Sequence, residues 1–200
     1  DMTVTVTAAK SGRINIFADG EYRFTVPSDI WFSSPFHEGD EVTENELLAL
    51  KKASGFFFAY ESAMRMLGLR AHSKKELTQK LRVKYGEEET LAAVQKCEKY
   101  GFINDEAFAR EFARELHERK HYAPARIKNE LRLRGISSEL IENAVSLLEE
   151  TDETGIEAAA AKIRMKDISD EKEKARVYRR LLSMGYSYSE IAAFLRACDD

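Results

Sequence analysis

The most informative stretch of the chain is PARIKNELRLRGISSELI, residues 124–141, because its apolar pattern recurs fifty residues earlier and fifty residues later. At this spacing Leu81, Leu131 and Leu181 align. The other columns that are apolar in all three copies are Phe58 with Phe108 and Ala158, Ala59 with Ala109 and Ala159, Ala63 with Ala113 and Ile163, Leu77 with Ile127 and Val177, Leu91 with Ile141 and Ile191, Val94 with Ala144 and Phe194, and Cys97 with Leu147 and Ala197. Several of these positions are three or four residues apart, which places them on one helix face. A repeat that cannot bury its own apolar face alone must stack on its neighbours, so the pattern predicts a small helical array.

Capping signals and glycines set the expected helix boundaries. Thr43 with Glu46, Ser73 with Glu76 and Ser187 with Glu190 form capping boxes, and Gly135 and Gly185 each follow a middle helix. These signals predict a linking helix over 44–53 and then repeat helices over 56–71, 74–84, 87–99, 105–121, 124–134, 138–150, 154–168, 170–184 and 188–198. The predicted domains are an N-terminal extension with its linking helix (1–53) and three-helix repeats over 54–103, 104–153 and 154–200.

The first 42 residues have the alternating pattern of β-strands instead. Val4 and Val6, then Ile14 and Ile16, then Tyr22, Phe24 and Val26 alternate with polar residues. We expect a hairpin closed by a three-residue loop at Ala18-Asp19-Gly20, which pairs Ile16 with Tyr22 and Ile14 with Phe24. An isolated hairpin is marginal in water, so Trp31, Phe32 or the aromatic run Phe56, Phe57 and Phe58 should pack against it.

Composition narrows the classes of function. The chain has 200 residues and a net charge of −4, which argues against a protein that coats nucleic acid indiscriminately. Neither a phosphate-binding glycine loop nor a distinguishable catalytic triad occurs, so no cofactor and no catalytic residue is expected. With only Cys97 and Cys198, both expected to be reduced packing residues, and with no apolar run of membrane-spanning length, we expect a soluble cytoplasmic protein without a membrane anchor.

The strongest functional signal is basic charge concentrated on the middle helix of each repeat. Residues 70–84, 119–134 and 172–180 each contain five or six basic side chains and one acidic side chain. A solvated helix face is the simpler explanation for any one helix, but recurrence in three copies favours a surface that meets phosphates or an acidic protein. The predicted site residues are Arg70, Lys74, Lys75, Lys80, Arg82, Lys84, Arg119, Lys120, Arg126, Lys128, Arg132, Arg134, Arg176, Arg179 and Arg180.

Two alternatives deserve a test. His117-Glu118-Arg119-Lys120-His121 spells the zinc-protease signature, but the charged residues inside it and Pro124 just after it favour the end of a surface helix. The helix, glycine turn and helix of residues 127–145 have the outline of a helix-turn-helix DNA reader. Its second helix, however, carries glutamates and neither lysine nor arginine. A transcription regulator is therefore the weaker alternative, and no metal site is predicted.

Several segments of the chain resemble the RecX family, the bacterial regulators of the RecA recombinase. The matching segments are AMRML (63–67), SKKEL (73–77), YGFINDE (100–106), FAR (108–110), Phe112, PARI (124–127), Glu130-Leu131 and Gly135-Ile136. The resemblance implies a mainly α-helical, elongated and curved body of three tandem three-helix repeats, here with a small N-terminal β-hairpin extension.

The resemblance also implies a function without catalysis. A RecX-like protein lies in the helical groove of the RecA filament on single-stranded DNA and inhibits strand exchange, ATP hydrolysis and co-protease activity. The expected partners are therefore the RecA filament and the single-stranded DNA within it, with at most weak direct DNA binding, and the chain is expected to be a monomer. The RecX family has no fixed catalytic residues, so the resemblance assigns none to this chain.

Overall fold

The computed structural model describes residues 1–149 and 154–199 and is mainly helical, with a small antiparallel sheet at the N-terminus. This confirms the predicted fold class. The described residues form β1 (Met2–Ala9), β2 (Arg13–Ala18), β3 (Glu21–Pro27), α1 (Ser28–Phe32), β4 (Glu41–Val42), α2 (Glu44–Leu69), α3 (Lys74–Arg82), α4 (Glu87–Lys99), α5 (Asp105–Glu118), α6 (Pro124–Leu133), α7 (Ser138–Ser146), α8 (Gly155–Lys162), α9 (Glu171–Ser183) and α10 (Tyr188–Asp199).

The chain divides into two compact units. One contains Asp1–Ala71 and Leu77–Ile103, and the other contains His72–Glu76 and Asn104–Asp200. The predicted repeat bounds at 54–103, 104–153 and 154–200 stay a prediction. Residue 150, where helix α7 was expected to end, and the boundary at residue 153 lie outside the described residues.

The N-terminal sheet has the strand order β3-β2-β1-β4, with all neighbouring strands antiparallel. Its even-numbered apolar residues share one face, except Tyr22, which pairs with Phe17 beyond the bulge and is 58% exposed. This face packs on α1 and on the start of α2, in a core of Val4, Ile16, Ala18, Val26, Trp31, Phe36, Val42, Leu47 and Leu50. The remaining edge of β1 is closed by the loop before β4, because Val4 exchanges backbone hydrogen bonds with Gly39 and Asp40.

The predicted hairpin register was wrong. The loop has two residues, Asp19 and Gly20, with positive φ angles of 49° and 81° as in a type I′ turn. Ala18 pairs with Glu21, and a bulge between Ile16 and Phe17 then pairs Ile16 with Phe24. The bulge restores the alternation that a two-residue loop alone would break, so the apolar pattern could not show whether the extra residue lies in the loop or in the strand.

The aromatic residues expected to pack against the sheet do so only in part. Trp31 is buried against Phe36 at a ring-centroid distance of 5.9 Å, whereas Phe32 is 75% exposed. Of the aromatic run in α2, Phe58 contacts the sheet through Arg13, whose guanidinium lies 4.7 Å from the ring centroid.

The predicted break between helices 44–53 and 56–71 is absent, because α2 continues from Glu44 to Leu69. Ser54 does not interrupt it, since its hydroxyl donates to the Leu50 carbonyl oxygen one turn earlier at 2.9 Å. Gly55 leaves space for α4, because a Cβ atom there would lie 3.0 Å from Cγ of Glu89. Serine and glycine thus mark a close helix contact here, where the sequence suggested a turn.

The fifty-residue apolar columns form the cores of the helical part. Leu77, Leu81, Ile127, Leu131, Val177 and Leu181 are fully buried, each in a cluster with its neighbouring helices. Three members of predicted columns are exposed: Leu91 (47%), Leu147 (61%) and Ala197. At the start of α4 the buried residue is Thr90 instead of Leu91, because the buried face of this helix is shifted by one residue relative to the corresponding helices of the later copies. Cys97 is buried as predicted, whereas Cys198 is exposed.

All three predicted capping boxes are confirmed. The backbone N–H of Thr43, Ser73 and Ser187 donates to the glutamate three residues on, and each hydroxyl accepts from the glutamate backbone N–H. These bonds satisfy donors that every helix start would otherwise leave unpaired.

Candidate functional site

The basic side chains predicted as a binding surface divide into those that hold the fold together and those that face solvent. The division is visible on α3, α6 and α9, where each has a buried apolar face and a basic opposite face. The contacts of the individual side chains decide which residues remain available to a partner.

The first turn of α3 is bound to the end of α6. Ser73 Oγ donates to the carbonyl oxygen of Arg134 at 2.7 Å, and Lys75 Nζ donates to the carbonyl oxygen of Leu133 at 3.3 Å. Gly135 follows with a φ of 77°, and a Cβ atom at this position would lie 2.5 Å from Cδ of Lys75. Lys75 therefore caps carbonyl groups that a helix C-terminus leaves unpaired.

The same arrangement recurs fifty residues later, between the first turn of α6 and the end of α9. The backbone N–H of Ala123 donates to the carbonyl oxygen of Met184 at 2.9 Å, and Arg126 Nη1 donates to that of Ser183 at 3.4 Å. Gly185, with a φ of 97°, leaves space for Arg126, whose Cβ atom would lie 2.5 Å from a Cβ at residue 185. We call each of these two contacts a helix-end joint.

Arg134 and Lys128 are also engaged within the fold. Arg134 Nη1 lies 2.8 Å from Glu130 Oε2, its Nε lies 3.5 Å from Glu76 Oε1, and its guanidinium stacks 4.3 Å from the Phe112 ring centroid. Lys128 Nζ forms an ion pair with Glu142 at 2.9 Å. Both side chains are partly buried, so a partner would have to replace these contacts before it could bind them.

Two further predicted site residues are held by neighbouring carboxylates. Arg82 forms two hydrogen bonds with Glu87, at 2.7 and 2.6 Å. Arg176 bonds both oxygens of Glu173 and also donates to the carbonyl oxygen of Ile163 at 3.3 Å. The Arg176 guanidinium, together with the backbone N–H of Lys166, lowers the pKa of Glu173 from 4.5 to about 2.

Six of the predicted residues are exposed and form no ion pair within the part of the chain that the structure describes. They are Lys84, Arg119, Lys120, Arg132, Arg179 and Arg180. The remaining candidates Arg70, Lys74 and Lys80 are exposed as well, and Arg70 donates to the carbonyl oxygen of Ala71 at 2.7 Å. Unneutralised cations attract an anionic partner more strongly than cations already paired with carboxylates.

Basic density recurs in the three copies, but basic positions do not. The column of Arg82 and Arg132 continues with Leu182, and the column of Lys80 and Arg180 passes through Glu130. The fifty-residue period therefore identifies the helices that carry the charge, and it does not align the individual side chains.

Exposed apolar residues beside the free cations were missed from the sequence. Leu133 is 62% exposed next to Arg132, and Tyr188 is 70% exposed with its ring 6.3 Å from that of Tyr178. The residue string Tyr178-Arg179-Arg180 carried this signal, because an aromatic residue next to basic residues suits a surface with both apolar and anionic groups.

The structure separates the two histidines of the zinc-protease signature. Helix α5 ends at Glu118, and His121 lies beyond it with a φ of 56°, so the two histidines do not share a helix face. His117 is buried, contrary to the predicted surface position, and its Nε2 lies 3.1 Å from the carbonyl oxygen of Glu149. Within the described residues no group of three or more potential ligands could hold a metal ion. Burial and the nearby Lys162 ammonium lower the pKa of His121, which favours the neutral ring.

Comparison with known proteins identifies the family. The chain matches the model of the first three-helix domain of RecX over residues 59–97 and that of the second over residues 104–145. It is 32% identical over 145 residues to the regulatory protein RecX of Caldanaerobacter subterraneus subsp. tengcongensis, covering 72% of this chain and 73% of that protein. The chain belongs to the RecX family.

Other RecX proteins extend the match toward both ends of the chain. The regulatory protein RecX of Clostridium beijerinckii is 28% identical over 181 residues, which cover 88% of this chain and 84% of the relative. A crystal structure of regulatory protein RecX covers 98% of this chain and 99% of its own, with a TM-score of 0.60 at 21% identity. That of RecX from Lactobacillus salivarius covers 74% and 98%, with a TM-score of 0.54 at 23% identity. These two structures support the fold, and the family places the chain among regulatory proteins.

In this RecX protein the described residues contain no helix long and apolar enough to cross a membrane.

Proposed function

We propose that this protein is a non-enzymatic regulator that binds the RecA filament on single-stranded DNA and inhibits its recombinase, ATPase and co-protease activities. Family membership supports the regulatory role. The main support for this binding mode is a set of exposed basic side chains that form no ion pair within the described residues. They lie on and beside the middle helices and include Arg132, Arg179 and Arg180. Such side chains suit the phosphates of DNA or an acidic surface of RecA. The site of action is the cytoplasm, where RecA works, and the chain acts as a monomer.

Not every basic residue on these helices is suitable for testing the binding surface by mutation. The side chains of Arg126 and Lys75 belong to the helix-end joints, and that of Arg134 is paired within the fold, so their reversal would disturb folding as well as binding. Arg132, Arg179 and Arg180 offer a cleaner test, because each is exposed on α6 or α9.

The test is a RecA ATPase assay on single-stranded DNA with and without this protein. The triple variant Arg132→Glu, Arg179→Glu and Arg180→Glu should raise the concentration for half-maximal inhibition by roughly tenfold or more, because it replaces three attractive charges with repulsive ones. A matched control, Lys51→Glu with Arg110→Glu and Arg114→Glu, changes the net charge equally at exposed positions outside the proposed surface.

Helix content of both variants is checked by circular dichroism. Absence of inhibition by the wild-type protein would contradict the proposed function. Equal weakening in the variant and the control would contradict the assignment of the surface and leave only a net-charge effect.

A DNA-binding transcription regulator is the weaker alternative for the function of these helices. Helix α7, which would enter the major groove, exposes Glu139 and Glu142 and would be repelled by phosphates. A salt titration on random and selected duplexes separates the two functions, because a sequence reader binds its site roughly a thousandfold or more tightly than random DNA.

A further inference from the structure

The N-terminal unit contains an apolar cleft between α1 and the first half of α2. Its volume is about 330 Å³, and its walls are Ile30, Ser33, Ser34, Pro35, Phe36 and, on α2, Glu46, Ala49, Leu50 and Ala53. Ala49 and Ala53 are exposed on one side of α2, and their small side chains leave the cleft open. Beneath it, the ring of Phe36 contacts that of Trp31, the only tryptophan in the chain.

The polar groups of the cleft are already bonded within the fold. Ser33 Oγ donates to the carbonyl oxygen of Asp29, and Ser34 Oγ donates to those of Trp31 and Phe36. Glu46 accepts from Thr43 in the capping box. Small-molecule sites orient their ligands with a few available polar groups, and the serine hydroxyls in the walls of this cleft are already bonded within the fold. Apolar side chains of a peptide fit it better.

The surroundings of the cleft carry negative charge. Residues 29–46 contain six acidic side chains and neither lysine nor arginine. Asp29, next to the wall residue Ile30, is exposed and forms no ion pair within the described part of the chain, and Glu46 is part of the wall itself. An anionic lipid surface or a nucleic acid would be repelled here, whereas a cationic segment would be attracted.

We propose that this cleft binds an amphipathic helix of a partner protein that presents bulky apolar side chains flanked by lysine or arginine. An amphipathic helix places such side chains on one face, and its cations then lie against the acidic rim. This binding site is separate from the basic residues of α6 and α9 and does not depend on the proposed function.

The test uses two synthetic amphipathic peptides of roughly 18 residues, long enough for appreciable helix formation. Both carry leucine on the apolar face, and the polar face is lysine in one and glutamate in the other. Trp31 fluorescence of the full chain reports binding, because its ring contacts the wall of the cleft. We expect a saturable change with the lysine peptide, weakened by added salt, and none with the glutamate peptide.

Two variants separate the apolar and the electrostatic parts of the site. Ala53→Phe fills the cleft from an exposed position, and Asp29→Asn removes negative charge beside the wall residue Ile30. Each should weaken binding of the lysine peptide, the first by roughly tenfold. The matched controls are Ala92→Phe on α4 and Glu61→Gln on α2, both at exposed positions.

Several results would overturn the proposal. They are equal binding of the two peptides, no binding of the lysine peptide, and unchanged affinity in both cleft variants while the controls behave like wild type. Concentration-dependent self-association that Ala53→Phe abolishes would mean that the occupant is a second copy of the chain, which also contradicts the proposal. Because two variants probe the site by different means, failure of one to fold leaves the other decisive.

Discussion

At the scale of single residues, the surroundings of an arginine decide whether it binds a partner or the fold itself. Arg126 and Arg132 are both on α6, yet only Arg126 reaches the free carbonyl groups at the end of the next middle helix. Arg132 points away from the core and forms no ion pair in the described chain. A carbonyl at a helix end is a strong acceptor because no later N–H of the helix reaches it.

The Glu173 carboxylate should titrate far below the usual range. Its pKa of about 2, against an ordinary 4.5, means that the carboxylate stabilises the folded state at pH values above about 4.5. This contribution is lost as the pH falls from 4.5 toward 2, because the unfolded state takes up the proton first. An NMR titration of the Glu173 side chain should give a midpoint near 2. In Arg176→Met, which removes the main cause of the shift, the midpoint should rise toward 4.5.

Glu173→Gln provides the corresponding test on stability. The variant should lose the part of the acid sensitivity that falls between pH 4.5 and 2, measured by urea unfolding at a series of pH values. A wild-type midpoint near 4.5 would show that the bonds to Arg176 and Lys166 do not hold the carboxylate in its charged form in solution.

At the scale of the secondary-structure elements, equal capping motifs should contribute unequally to stability. Ser73 and Ser187 both cap a helix, but only Ser73 is fully buried and also donates to the Arg134 carbonyl oxygen. Ser187→Ala should lower the free energy of unfolding by about 1 kcal/mol, as expected for an exposed cap. Ser73→Ala should lower it by about 2–3 kcal/mol, because it also leaves a carbonyl without its donor.

Urea unfolding followed by far-ultraviolet circular dichroism measures both changes in free energy. The exposed cap serves as the matched control for the buried one. Equal losses in the two variants would mean that the bond from Ser73 to Arg134 adds nothing to the cap.

At the scale of the whole molecule, the helix-end joints connect successive copies of the repeated sequence. A first turn supplies donors, and the end of the middle helix that follows in the chain supplies acceptors. The donors differ: Ser73 Oγ and Lys75 in one joint, the Ala123 backbone N–H and Arg126 in the other. Both joints lie within the second compact unit, and their acceptor carbonyls recur at the fifty-residue spacing of the sequence.

Gly185→Ala should destabilise the protein by about 2–4 kcal/mol. The residue has a φ of 97°, at which an L side chain is strained, and its Cβ would approach the Arg126 backbone nitrogen to 2.8 Å. Gly68→Ala is the matched control, since Gly68 lies in α2 with nothing within 4 Å of the added atom. It should be neutral or stabilising by up to about 1 kcal/mol.

Thermal unfolding of both glycine variants provides the measurement. A Gly185→Ala protein as stable as the wild type would show that the turn can move away from Arg126 without loss, which would weaken the case for a closely packed joint.

The sequence by itself determined the helical class, helices α3 to α10 of the described residues and the three capping boxes. Apolar periodicity and capping are local properties, so residues such as Leu131, Ser187 and Gly185 indicate their structure without knowledge of distant neighbours. Charge along the chain likewise identified α3, α6 and α9 as the basic helices, and the short family motifs indicated the RecX family.

Only the tertiary structure decided the strand register, the continuity of α2 and the role of each basic side chain. The bulge at Ile16 depends on how β2 pairs with the neighbouring strand β3, and the approach of Glu89 to Gly55 depends on a helix distant in the sequence. Arg126 is a structural residue because a helix some 57 residues later ends beside it, and Arg132 is exposed because none does. Local patterns encode which face of a helix is polar, whereas the partner of a long charged side chain is fixed by packing.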